Sequence, residues 1–179
     1  MQEVHQAAAL LTPGDPLEPE TQMGAIIDEK QMNTVLGYIE KGQQEGAEIT
    51  LGGHRTLNNL GGFYIEPTIF ENVRNDMTIA REEIFGPVLS VIEAEDVEDA
   101  VRTANDTKYG LAASVWTGDI STAHKTARSL HAGSVWVNCF DQGGIVMPFG
   151  GMKQSGIGRD RSHHALEKYT EMKSSWIQL

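Results

Sequence analysis

Two hydrophobic periods alternate along this chain, and that alternation narrows the folds open to it more than any other feature. Met32, Val35, Leu36 and Ile39 recur at i, i+3, i+4 and i+7, the spacing of one helical face. Asp28, with Gln31 three residues later, supplies a capping-box-like start, and Gly42 and Gly46 offer stops. Val97, Ala100, Val101 and Ala104 repeat the pattern behind Asp96, and Tyr109-Gly110 closes it. Ile120, Ala123 and Ala127 follow Asp119, and Ala165, Leu166 and Tyr169 follow Ser162, so four helices are predicted. Between them lie β-rich runs at residues 49–51, 63–73, 88–92, 113–116, 134–138 and 175–179. The apolar run Val88-Leu-Ser-Val-Ile92 reads as a strand buried on both faces, which parallel sheets under helical cover require. Strand and helix in alternation imply right-handed crossovers, hence an α/β fold whose mostly parallel sheet is covered by helices.

Composition excludes several function classes. At 179 residues the chain buries a sizeable core, and length alone argues for one domain. The formal net charge of −11 leaves no basic excess to neutralise phosphates, which speaks against nucleic acid as a partner. No stretch approaches the roughly 18 apolar residues of a membrane span. The run Ala7-Ala-Ala-Leu-Leu11 is too short for a signal-peptide core, and no positively charged segment precedes it. Cys139 stands alone, so no intrachain disulfide forms, and the usage fits a reducing cytosol and a cytoplasmic location.

Two stretches combine reactive side chains with a backbone bent by Gly and Pro, as where a loop closes around a ligand. The first is Arg81-Glu-Glu-Ile-Phe-Gly-Pro-Val88. Pro87 disfavours helix at Gly86, which puts Glu83 and Phe85 at the mouth of the strand starting at Val88. A carboxylate there can accept hydrogen bonds from the vicinal hydroxyls of a ribose, and the ring can rest against a nicotinamide. On chemistry alone, an acidic surface turn with Phe85 anchored in the core is the commoner arrangement. The second stretch follows the strand at 134–138 with the loop 139–147, on the edge where parallel sheets bind ligands; a flexible Gly-rich turn is the alternative. In Pro148-Phe-Gly-Gly-Met-Lys-Gln-Ser-Gly-Ile-Gly158 a phosphate-loop reading fails. Gly151 and Gly156 have the Walker gap, but Ile157 stands where the lysine belongs, and Arg161 occupies the slot of a dinucleotide fingerprint's third glycine. A tight packing turn reads better. No clearly activating cationic feature stands near Cys139 in the sequence, so a Cys–His hydrolase using His163 or His164 is the weakest reading. Adjacent histidines on a helix diverge by about 100°, and the six histidines show no metal-ligand spacing, so no metal is expected.

In their order, these stretches resemble the C-terminal part of the NAD(P)-dependent aldehyde dehydrogenases, together with Ile65-Glu-Pro-Thr-Ile-Phe70 and Tyr109-Gly-Leu-Ala-Ala113. The likeness runs from Gly14 to Trp176. It implies a catalytic-domain portion at residues 1–172 and an oligomerisation strand at 173–179. It also implies homo-oligomers, or association with an N-terminal portion upstream of Met1 that carries the catalytic cysteine and the dinucleotide-binding domain. In such an enzyme a cysteine thiolate attacks a small-molecule aldehyde, hydride passes to NAD or NADP, and water releases the carboxylate. By the same resemblance Glu83 holds the nicotinamide ribose and Phe85 packs near its ring. Asn138, Phe140, Asp141, Gly143 and Phe149 then form the aldehyde-anchoring loop. Gly143 stands in place of a bulky aromatic, which widens the pocket, and Asp141 is placed to meet a cationic group. The wording around Arg159, Asp160 and Ala165-Leu-Glu-Lys-Tyr-Thr-Glu171 is similar to the gamma-glutamyl-aminobutyraldehyde branch. Lys153 and Ser155 occupy signature positions with a structural role. Asp160 takes the place of a glutamate suggested to relay protons, with a shorter side chain. The isolated chain is then expected to be inactive; the competing expectation is a non-enzymatic assembly module pairing through its last strand.

Overall fold

A computed structural model describes residues 1–179. The chain divides into two compact units, residues 1–93 and 94–179, where length alone suggested a single domain.

The first unit is built on helix α2 (Glu29–Gln44). Its start is the one the sequence announces: the Asp28 carboxylate accepts the Gln31 N–H at 2.7 Å. Met32, Val35 and Ile39 line its buried face with Gly42. Strands β1 (Glu48–Leu51), β4 (Thr68–Glu71) and β5 (Val88–Ser90) form a sheet in the order β1-β4-β5, antiparallel and then parallel. Phe70, on the central strand, is fully buried. Helix α2 comes so close that a Cβ on Gly42 would lie 3.1 Å from the Phe70 ring and 2.9 Å from Ile79 Cδ1. The predicted run at 63–73 is two strands, β3 (Tyr64–Ile65) and β4, because Pro67 between them has no N–H to pair. On its first side β3 pairs with β2 (Arg55–Thr56). Helix α1 (Gln2–Leu10), which carries no side-chain cap, was not predicted; its Gln, Glu, Ala and Leu content favours helix. It is tied down by His5, whose Nε2 lies 2.8 Å from Thr50 Oγ1 and 3.3 Å from a Glu71 oxygen. Strand β5 is a sheet edge, so Leu89 is 46% exposed rather than covered on both faces.

Glu45, just beyond α2, is bonded to the start of the short helix α3 (Thr78–Arg81). It accepts the Thr78 hydroxyl at 2.6 Å and the Thr78 N–H at 2.7 Å. Those bonds, the hydroxyl foremost, hold its carboxyl below the ordinary glutamate range, with Lys41 adding to the effect. A carboxyl whose folded pKa is depressed adds stability above its unfolded pKa and loses it as pH falls through the folded value. Glu45→Gln should therefore lower the urea midpoint at neutral pH, with the gap to the parent closing by pH about 3. Parallel midpoint curves for the two proteins across that range would contradict the assignment.

In the second unit, helices α4 (Val97–Asn105) and α5 (Ile120–Ser129) start where predicted. Asp96 accepts the Asp99 N–H at 2.7 Å and Asp119 the Thr122 N–H at 2.6 Å. Strands β6 (Ala112–Val115) and β7 (Ser134–Val137) pair in parallel across the α5 crossover, with Ala112 opposite Ser134 and Val115 opposite Val137. The α/β class therefore holds, with two strand pairings parallel and two antiparallel. The predicted fourth helix is a 3-10 segment, His163–Tyr169. No strand forms at residues 175–179: an extended segment needs a partner edge, and nothing in the chain supplies one. Trp176 is 94% exposed, with Ile177 and Leu179 also in solvent.

Candidate functional site

Each unit carries one of the two singled-out stretches. In the first, residues 82–87 connect α3 to β5. Glu82 leaves the helix in an extended conformation. Ile84 turns into the core, 8% exposed, and Phe85 turns out, 75% exposed. The anchor of this turn is therefore Ile84, which removes the reading in which Phe85 was buried. Phe85 holds a left-handed backbone, φ 51°. Gly86 is forced by contact, since a Cβ there would lie 2.6 Å from Val35 Cγ2. Helix α2 braces the loop with two polar side chains. The Gln31 amide donates to the carbonyls of Ile84 at 3.0 Å and Phe85 at 3.1 Å, and the Tyr38 hydroxyl donates to Glu82 at 2.7 Å. Glu83 is exposed. An exposed carboxylate and an exposed ring two residues apart on a held loop suit a ligand with a vicinal diol beside a flat heterocycle, so these residues fit a nicotinamide nucleotide.

In the second unit the loop begins at Asn138, φ 54°. Its side chain is committed to Thr117: Oδ1 accepts the Thr117 N–H at 2.8 Å and Nδ2 donates to the Thr117 carbonyl at 2.9 Å. Asn138 thus frames the loop. Phe140 is 62% exposed and tilted against Trp136, with ring centroids 5.3 Å apart. The Trp136 indole N–H donates to the Gln142 carbonyl at 2.6 Å. Asp141 and Gly143 both turn the chain at positive φ. A cleft of about 250 Å³ gathers Trp136, Gly143, Met147, Phe149 and Arg161. Gly143 and Phe149 share this cleft, while Asn138, Phe140 and Asp141 lie on the same loop outside its lining. The Arg161 guanidinium sits 5.2 Å from the Phe149 ring centroid. In the sequence this arginine counted only as a missing glycine.

The turn after the loop is tied down by several bonds. Phe149 and Asp160 bridge through their backbones at 2.8 and 2.6 Å. The Asp160 carboxylate pairs with Lys168 at 2.5 Å through one of its oxygens. Lys153 donates to the carbonyls of Asn105 at 2.9 Å and Thr107 at 3.2 Å, closing the C-terminal end of α4. Ser155 Oγ accepts the Gly110 N–H at 3.0 Å. Cys139 is a free, half-buried thiol, and His164 is bonded to Glu167 at 3.0 Å.

Residues 1–175 match the aldehyde dehydrogenase family. The chain is 46% identical over 168 residues to the betaine aldehyde dehydrogenase of Brucella anthropi, covering 93% of this chain and 34% of that protein. It is also similar to a crystal structure of an indole-3-acetaldehyde dehydrogenase in complex with NAD+, at 57% identity and a TM-score of 0.95, over 99% of this chain and 36% of that one. A third likeness is to the gamma-glutamyl-gamma-aminobutyraldehyde dehydrogenase of Burkholderia cenocepacia, at 58% identity and a TM-score of 0.92, over 97% of this chain and 35% of that one. The chain thus spans about a third of the length of the proteins it matches.

Proposed function

Because the chain belongs to the aldehyde dehydrogenase family, we propose that it supplies two elements of the active site of an enzyme oxidising an aldehyde to a carboxylate with NAD or NADP. Its contribution is the nicotinamide-ribose clamp and the aldehyde-anchoring loop, while the catalytic cysteine and the dinucleotide-binding domain are supplied from outside these residues. The observation that carries this reading is the loop at 82–87, where Glu83 and Phe85 stand in solvent on a turn braced from α2. Glu83 accepts hydrogen bonds from the ribose diol, and Phe85 limits the tilt of the nicotinamide. The bound nicotinamide supplies the hydride acceptor. In the second unit, the cleft beside Gly143 and Phe149 seats the aldehyde's chain, with Phe140 and Asp141 on the same loop and Asn138 holding its entrance. The likeness to a gamma-glutamyl-gamma-aminobutyraldehyde dehydrogenase supports an aminoaldehyde as substrate, its cationic end near Asp141. The purified chain alone, given a panel of aldehydes with NAD+ or NADP+, is expected to form no reduced coenzyme; turnover would defeat the view that the reactive thiol comes from elsewhere.

Exposure of Trp176, Ile177 and Leu179 favours a second reading, an assembly module that pairs through residues 173–179 with a second copy or with the rest of an enzyme. Concentration-dependent dimers in sedimentation, abolished by removing those residues, are its expected signature. A chain that stays monomeric at high concentration rules it out.

A further inference from the structure

We propose that Gln31 is a positioning residue that holds Phe85 in its left-handed conformation, and so sets how the 82–87 loop presents Glu83 and Phe85. The role in coenzyme binding rests on the reading above; the bracing itself does not. A residue with a Cβ enters the left-handed region only against steric resistance, and a bulky exposed aromatic persists there when its surroundings over-determine it. Three determinants surround this one. Ile84 is buried, which fixes the chain on the N-terminal side. Gly86 lies so close to Val35 that no side chain fits, which fixes the other side. Gln31 bonds to Phe85 itself, donating to its carbonyl and to that of Ile84 from one amide nitrogen. Two successive carbonyls converging on a single donor fix the relative orientation of the two peptide planes that flank Phe85, and that orientation sets its backbone rotation.

The division of labour at the start of α2 strengthens the case. In a capping box, the side chain three residues after the cap turns back to the cap's own N–H. Here the Asp28 half forms, at 2.7 Å to the Gln31 N–H, but the Gln31 side chain points across to residues 84 and 85 instead. Gln31 is therefore held through its backbone by the helix cap and reaches the loop with its side chain. Replacing the side chain leaves the cap bond in place, which makes the effect on the loop separable from an effect on the helix.

The test uses the whole 179-residue chain and nitrogen-15 relaxation of the Phe85 amide. In the parent protein Phe85 should show an order parameter of about 0.85, the value of rigid backbone, and in Gln31→Leu it should fall below about 0.6, while amides of α2 keep their values. Gln31→Glu supplies a readout that mere loss of packing would not move. Its carboxylate opposes the two carbonyls at neutral pH, but once protonated below about pH 4 it donates one hydrogen bond, and order at Phe85 should return. Asp28, Glu82 and Glu83 are further carboxyl groups near this loop, so the parent protein measured over the same pH range is the control. Unchanged order at Phe85 in Gln31→Leu overturns the proposal, as does a pH-independent Gln31→Glu. Nicotinamide mononucleotide, followed by chemical-shift changes at Glu83 and Phe85, is expected to bind Gln31→Leu about tenfold more weakly than the parent. Equal affinity in the two proteins overturns the positioning role. An absence of shifts in the parent defeats the ribose-clamp reading instead, and leaves the relaxation result to decide the bracing.

Discussion

Phe70→Ala should cost about 3–5 kcal/mol, the range seen when a fully buried aromatic is cut to a methyl in a core that cannot collapse around the loss. The ring is buried on the central strand of its sheet, with Gly42 of α2 above it and Ile79 of α3 beside it. Those neighbours are set by backbone: α2 is held by its Asp28 cap, and α3 by the two bonds from Thr78 to Glu45. They have little freedom to move inward, so most of the cavity remains. Urea unfolding followed by far-ultraviolet circular dichroism measures the loss, with Phe70→Leu as a milder partner at about 1 kcal/mol. A cost below about 1 kcal/mol for the alanine variant would mean that α2 and the sheet do not close on this ring.

Gly133→Ala attacks the second unit where two backbones touch. A Cβ there would lie 1.6 Å from the Gly150 carbonyl oxygen, far inside contact distance, and the obstacle is main chain that cannot rotate aside. The Gly133 N–H donates to the Gly110 carbonyl at 3.0 Å, and the same carbonyl accepts the Met152 N–H at 2.8 Å. Moving Gly133 therefore disturbs the entry of β6, the entry of β7 and the turn carrying Lys153 and Ser155 together. The expected loss is about 3 kcal/mol or more, read from the urea midpoint. Gly144→Ala is the control: its Cβ would meet only a Val146 methyl at 3.9 Å, and a change within about 0.5 kcal/mol is expected. If both variants unfold at the parent's midpoint, the close crossing at Gly133 does not exist in solution.

Much of this architecture is legible in local sequence, because its signals are local. Asp28, Asp96 and Asp119 each stand before an apolar helical period, and each carboxylate accepts the N–H three residues on. The crossover from β6 through α5 to β7 follows from the same periods. What could not be read depends on distant partners. Ile84 and Phe85 are adjacent and both apolar, so sequence order does not say which enters the core; the close approach of Gly86 to Val35, 51 positions earlier by number, decides it. Gln31 looked like half of a helix cap, because its true acceptors lie in another part of the chain. Helix α1 has no capping side chain to announce it. The run at 175–179 forms no strand within this chain, whose own sheets offer it no edge. In the candidate site, Gly143 and Phe149 share a cleft, and the Arg161 in its wall owes its place to the bridge between Phe149 and Asp160.

The segment from residue 141 to 148 lies wholly at the surface, yet both its ends are fastened, by Asn138 to Thr117 on one side and by the Phe149 bridge on the other. Side chains within it bear almost none of the folding free energy, while the posts that hold it lie outside. Mutational drift there is nearly free of any penalty in foldedness, so descendants of one scaffold can exchange one chemical preference for another by rewriting a handful of codons.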